Sequence, residues 1–441
     1  MAETTERDTR TSRHSVPALA RRKISYKEAL AWLYSLQRFG IKLGLENIRR
    51  LIAELSSRIP FEAAVSDIGI VLPCKVIHVA GTNGKGSVCA MIDSICRAQG
   101  YRTGLFISPH LVTFRERIRI NGGLISEQAV TEGLATIHDL VVTWDSHPTF
   151  FEIVTALALK HFFEAKIDVT VLETGLGGRL DATNVVRPDV SVITPIDFDH
   201  ENWLGDTLVS IAGEKAGIIK PGIPVISARQ QRESEKVIRS RATECGSPLQ
   251  IVNKTYDASP VGLRGQHQKR NAALAVAAIQ AANIQVDENA IARGLMAIEW
   301  PARFQKWDER TIIDGAHNPS AARVLAETWR EVFGDRKATL VLAVLSDKNL
   351  RGICETLVPI ADSVILPQIR SDRATAAEEL VKVFSTVTPS LPCSITPSVR
   401  DALDLAGAKP KPILITGSLH FAGEVLAQLR GEPSVFEECA Q

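Results

Sequence analysis

The chain has 441 residues, 45% of them apolar, and a formal net charge of +1 at pH 7. That length accommodates two or three domains with a sizeable core, and the near-neutral balance excludes the electrostatic footprint of a nucleic-acid or anionic-membrane binder. Seven cysteines without a C-x-x-C pair point to free thiols in a reducing compartment, and no apolar run reaches the length of a membrane span, so the expected location is the cytoplasm.

Residues 1–22 are polar and charged without the apolar core of a signal peptide, and are expected to form a mobile tail. Apolar residues at Ala29, Leu30, Leu33 and Leu36 predict a helix over 26–39. Residues 45–55 repeat the pattern, with a loop marked by Gly40 and Gly44 between the two. Residues 76–79 read as a short buried strand. A glycine-rich loop, Gly81-Thr82-Asn83-Gly84-Lys85-Gly86-Ser87, follows, and then a helix with Val88, Met91, Ile92 and Ile95 on one face and Gly100 as its cap. A strand over 103–107 ends in Ser108-Pro109-His110. A helical stretch over 151–163 leads to a strand over 168–172 closed by Glu173, and a strand over 190–194 runs into Pro195-Ile196-Asp197-Phe198-Asp199-His200. The Ala-rich run 271–282 reads as a helix. This alternation argues for a parallel sheet covered on both faces.

A boundary is expected near Trp300-Pro301. The pattern then restarts, with strands at 311–313, 339–345, 363–366 and 413–416 and helices between them. The expected fold is α/β: a P-loop-containing parallel-sheet ATPase domain over 23–298, followed by a smaller Rossmann-like α/β domain over 299–441.

Strand, glycine loop with lysine, then helix is the P-loop arrangement. Backbone N–H groups and the helix N-terminus face phosphates, and Lys85 reaches the terminal ones. The usual pattern has a hydroxyl directly after the lysine to hold Mg²⁺; here that position is Gly86, and Ser87 comes one later. The metal's hydroxyl ligand is then expected from elsewhere. Ser108, at the end of a neighbouring strand, is a candidate, or simply a serine opening a turn before Pro109. Glu173 at a strand end fits a Walker-B-type metal acid, or equally a carboxylate facing water. The loop Thr174-Gly175-Leu176-Gly177-Gly178-Arg179 suggests backbone close to a ligand. His200, after Asp197 and Asp199, is either structural or a metal ligand. Lys215 reads as a solvated helix lysine without a role. Asp314-Gly315-Ala316-His317-Asn318 either faces the nucleotide from the second domain or caps a helix.

Taken together, these residues resemble the folylpolyglutamate synthase / dihydrofolate synthase family (bifunctional bacterial type) of the Mur-ligase superfamily. The resemblance runs from about Tyr26 to Gly423. It rests on GTNGKGS at Gly81, SPHL at Ser108, TFFE at Thr149, LETGLGGRLDATN at Leu172, the Asp199-His200 pair before Trp203-Leu204-Gly205, EKAGI at Glu214, PARFQ at Pro301, DGAHNP at Asp314 and TGSLHFAGE at Thr416. It implies that Thr82, Asn83, Gly84, Lys85, Gly86 and Ser87 hold ATP, with Asn271, Arg303 and Asp314 as further nucleotide contacts. Ser108 and Glu173 would bind one Mg²⁺ and His200 a second, with room for a monovalent cation. Lys215 would be carbamylated, and Lys85, Lys215 and His200 would carry the chemistry. The pterin-bearing substrate would meet Gly40, Ile41, Lys42, Leu43, Thr149, Phe150, Phe151, Glu152, Leu180, Asp181 and Ala182, with His317 on the substrate side. His420 stands where many relatives have tyrosine.

The implied reaction joins L-glutamate to dihydropteroate or a reduced folate through an acyl phosphate. A monomer acts in the cytoplasm, with the glutamate-ligase function in the C-terminal domain. A Mur-type ligase acting on a cell-wall precursor and a P-loop nucleotide switch without ligase chemistry are the alternatives. The motifs LGGRLDATN and SPHL favour folate over the first, and DGAHN with a second metal histidine weighs against the second.

Overall fold

The computed structural model describes residues 24–40, 44–58, 64–66, 68–432 and 436–437. The N-terminal tail, and Ile41, Lys42 and Leu43 of the expected substrate loop, lie outside the described residues.

The first sheet has eight strands. Across the sheet they run Leu249–Val252, Val225–Ala228, Val190–Ile193, Lys75–Ala80, Val169–Glu173, Thr103–Phe106, Ile118–Ile120 and Gly123–Leu124. The strands Val169–Glu173 and Val190–Ile193 are buried along their whole length, as β-branched runs covered on both faces require. The P-loop strand sits in the middle, with Val79 opposite Glu173 and Ala80 opposite Ile193. Three strand ends therefore open into one crevice, the usual ligand position of such sheets.

The sheet is not wholly parallel. Ile118–Ile120 and Gly123–Leu124 form an antiparallel hairpin at one edge. Its two-residue turn is Asn121-Gly122, both at positive φ (50° and 78°), the conformation that matches strand twist and favours this dipeptide. The other edge carries the parallel pair Val225–Ala228 and Leu249–Val252, which local pattern did not expose.

The helix after the P-loop spans Lys85–Gln99 and ends at Gly100 in the left-handed conformation. It packs against Gln266–Ala281 and Glu288–Met296. Contact is close at Gly294, where a Cβ would lie 2.5 Å from Ile95 Cα. The second sheet has six strands: Gln305–Lys306, Thr311–Ile313, Ile413–Thr416, Ala338–Leu342, Ala361–Pro367 and Cys393–Thr396. All but the first pairing are parallel, and the sheet has its own core around Trp329 and Phe384. Among the described residues no helix is long and apolar enough to cross a membrane.

Candidate active site

The P-loop is shaped by two glycines. Gly81 (φ 144°) and Gly84 (φ 93°) adopt backbone conformations that other residues avoid, and a Cβ on either would strike Thr194 or Asn271. Asn271 thus faces the loop, and it donates to Gln268, which in turn reaches the buried Ser87. Lys85 is half-buried as the first residue of its helix. Its ammonium donates to Gly81 O (3.0 Å) and Thr82 O (3.3 Å). The Thr82 hydroxyl donates to Asp197 O (3.0 Å), pinning the loop to the neighbouring strand end.

Lys215 corrects the reading of a solvated lysine. It is buried, and its Nζ donates to Gly81 O at 2.9 Å. Burial first, and then the charge of Lys85, lower its pKa to about 7. Local sequence could not show this, because the burial comes from elements distant along the chain.

Ser108 and Glu173 meet beside the P-loop. Ser108 N–H donates to Glu173 Oε2 (3.2 Å), while the Ser108 hydroxyl is buried without a hydrogen-bond partner. Burial raises the Glu173 carboxyl to about 7 against the pull of Lys85. An orphaned hydroxyl beside a desolvated carboxyl is a hard-oxygen donor set, and it fits Mg²⁺ that takes its other ligands from phosphate and water. At Gly86 a Cβ would lie 3.2 Å from Trp300 Nε1 and 3.7 Å from Glu173 Oε2, so the usual hydroxyl position is crowded. Among the described residues no group of three or more His, Cys, Asp or Glu side chains is arranged to hold a metal.

His200 opens the short helix Glu201–Leu204 in a left-handed conformation (φ 53°). Burial lowers its pKa to about 4, leaving the neutral ring that ligates metals. Its neighbour Asp199 joins the two sheets' domains. The carboxylate pairs with Lys348 Nζ (2.7 Å) and accepts from Asn318 Nδ2 (3.4 Å), and His317 Nε2 lies 3.5 Å away. Burial alone would raise Asp199, but the His317 contact and the surrounding cations hold it well below the usual carboxylate range. Asn83 of the P-loop adds bonds to Asn318 and Ser320. Asn318 belongs to the 314–318 cluster and also caps the helix Pro319–Phe333, whereas nothing local in the sequence marks Lys348 or Ser320.

Arg303 lies between Ala302 and Phe304, both at positive φ (56° and 45°). Asp314 holds this strained turn by accepting Phe304 N–H at 2.7 Å, and Arg303 partly offsets the desolvation that raises the Asp314 carboxyl.

A cavity of about 1190 Å³ opens beside His200. Gly40, Thr149, Phe150, Phe151, Glu152, Leu180, Asp181 and Ala182 all line it, as do Arg117, Lys348 and Arg373. Thr149 and Glu152 form a reciprocal helix cap. Phe150 is a core residue stacked on Tyr34 (5.7 Å), whereas Phe151 is half-buried. Asp181 already accepts from Gly175 and Leu176 N–H on one oxygen and from Thr183 N–H and Oγ1 on the other. Its carboxylate shapes the glycine loop.

Residues 79–243 match the family model of the Mur ligase middle domain, which places this part of the chain among the Mur-type ligases. Residues 298–428 match the dihydrofolate synthetase C-terminal domain. The dihydrofolate synthase/folylpolyglutamate synthase of Bacillus subtilis is 34% identical over 440 residues, covering 92% of this chain and 99% of that protein. The solved folylpolyglutamate synthase of Mycobacterium tuberculosis, complexed with ADP and AMPPCP, superposes with a TM-score of 0.82 at 32% identity, over 92% of this chain and 99% of that one. Escherichia coli FolC in complex with DHPP and ADP gives 0.79 at 34% identity, over 91% and 98%. The chain belongs to the dihydrofolate synthase/folylpolyglutamate synthase family.

Proposed function

We propose that the chain is an ATP-dependent ligase that joins L-glutamate to dihydropteroate and extends reduced folates in the same way. The observation that carries this is one cavity lined by Phe151, Leu180, Ala182 and His200 of the first domain and by Asn318 and Lys348 of the second. A flat ring system finds apolar walls there, and its carboxylate end meets cations.

The acid's carboxylate oxygen attacks the γ-phosphorus of ATP and ADP leaves. The glutamate amine then attacks the acyl phosphate carbonyl, phosphate departs, and an amide forms. Lys85 and the helix N-terminus offset repulsion between anions in the first step. Ser108 and Glu173 would hold Mg²⁺ and His200 a second ion, which screens phosphate charge when bound. Lys215, neutral in part at pH 7, is suited to carbamylation, since only the free amine adds CO₂. Contacts from Asp199 and Asn83 to the second domain close the site against water. Arg303 and Asp314 are assigned to the nucleotide, His317 to the substrate side, and the domain boundary to the neighbourhood of Trp300. A monomer in the cytoplasm belongs to the same reading, and the six described cysteines, all free, fit a reducing compartment.

Purified protein is assayed for ATP-dependent ligation of glutamate to dihydropteroate beside a tetrahydrofolate. Product with both is expected. Product with the folate alone leaves a tail-extending enzyme, and product with neither overturns the reading.

A further inference from the structure

Phe436 and Glu437, close to the end of the chain, lie against the loop that carries Ser108. The Glu437 carboxylate accepts from Phe114 N–H, the Thr113 hydroxyl (3.2 Å) and the Tyr26 hydroxyl (3.5 Å). Glu437 N–H donates to Val112 O at 2.8 Å. The Phe436 ring meets His420 edge-on at 5.1 Å, and His420 belongs to the helix Leu419–Leu429 of the second domain. These two residues therefore touch both domains.

A relay leads from them into the cavity. Arg117 Nε donates to His110 Nδ1 at 2.8 Å. An accepting Nδ1 leaves the ring proton on Nε2, which lies 3.1 Å from Glu437 O and donates to it. His110 and Arg117 are both fully buried. The Arg117 guanidinium stands over the Phe150 ring (5.4 Å) and lines the cavity beside Thr149 and Glu152. A neutral imidazole orients a guanidinium without cancelling its charge, as a carboxylate would. The loop backbone has separate support, because Glu116 accepts from Leu111, Val112 and Thr113 N–H. What the Glu437 carbonyl adds is the fixing of His110.

We propose that the 436–437 segment completes the substrate site: Glu437 fixes the His110 ring, and His110 fixes Arg117 as the cation facing the bound acid. Glu437 and His110 are positioning residues, and Phe436 ties them to the second domain. This rests on the reading of the cavity as the acid-substrate site. It makes the chain's last segment a determinant of acid affinity and leaves ATP binding to the P-loop.

The test compares the full chain with one ending at Glu432, with Phe436→Ala, and with His110→Ala. In the shortened chain the KM for dihydropteroate rises about tenfold, while the KM for ATP stays within about twofold. Phe436→Ala moves the same constant in the same direction, and serves as the test if the shortened chain does not fold. Adding His110→Ala to the truncation brings little further loss, because both act through Arg117. An unmoved dihydropteroate KM, an equal rise in the ATP KM, or losses that multiply would overturn the proposal. Hydrogen exchange gives a readout independent of turnover: the Phe114 amide loses protection in the shortened chain, and unchanged protection counts against the clasp. A full chain that ligates glutamate to no pteroate acid overturns the functional reading instead.

Discussion

Lys85 and Lys215 donate to one oxygen, the carbonyl of Gly81, at 3.0 and 2.9 Å. Two ammonium groups sharing an acceptor repel each other, and the buried partner gives way. Burial first, and then the Lys85 charge, lower the Lys215 pKa. The Gly81 carbonyl thus ties the P-loop lysine to a buried amine on the helix Leu208–Ala216.

Lys215 titrates near 7 in the fold against 10.5 when unperturbed. Between those values the unfolded chain binds the extra proton, so stability rises with pH across that window. Lys215→Met should flatten the rise in urea midpoint between pH 7 and pH 9.5. An unchanged slope in the variant would show that the group is not desolvated.

Lys85→Ala should retain a near-normal melting temperature and lose about 10²-fold or more in turnover, because its charge is needed only when triphosphate is present. It should also raise the Lys215 pKa, read from the pH dependence of amine labelling at that residue. Near-normal turnover would remove the P-loop assignment.

Ser108→Ala removes a hydroxyl that bonds nothing in the fold, so stability should hold or improve slightly while the Mg²⁺ concentration for half-maximal rate rises about tenfold. Gly86→Ser should not rescue it, since the new Cβ presses on Trp300 and approaches Glu173. Recovery of normal metal dependence in the double variant would refute the separate-strand arrangement.

Asp199→Asn keeps the volume and loses the charge that pairs with Lys348 across the domains. Both domain cores should survive, with turnover lower and scattering in solution showing a larger radius of gyration. An unchanged radius would mean that other contacts hold the domains together.

Asp181→Ala strips four bonds, two from glycine-loop amides on one oxygen and two from Thr183 on the other. A loss of about 2–3 kcal/mol in stability is expected from buried donors left unpaired. A loss of substrate affinity with full stability would instead mark Asp181 as a direct pterin contact.

Much of this was legible because it is local. The P-loop, the acid closing its strand and the strand ends at Ser108 and His200 declare themselves through glycines, short apolar runs and the polar residues that stop them. Asn121-Gly122 is also a hairpin dipeptide, and it builds the antiparallel edge that strand–helix alternation does not report. Lys215 was misread because helical spacing says which face a lysine occupies, not what later packs on that face. Lys348 pairs with Asp199 across 149 residues, and His110 with Glu437 across 327, and no periodicity reports such distances. The saturation of Asp181 was likewise invisible, since its donors are backbone amides whose direction only the folded loop defines.

The ion pair between Lys348 and Asp199 lies in the wall of the cavity proposed for the acid substrate. A carboxylate arriving there does not meet an idle ammonium; it competes with a carboxylate already seated. Binding is then an exchange of partners, and its net gain is the difference between two similar interactions. The same exchange removes one of the contacts by which Asp199 meets the second domain and leaves those to Asn318 and His317. Substrate affinity and domain closure therefore draw on one lysine, and tightening either weakens the other.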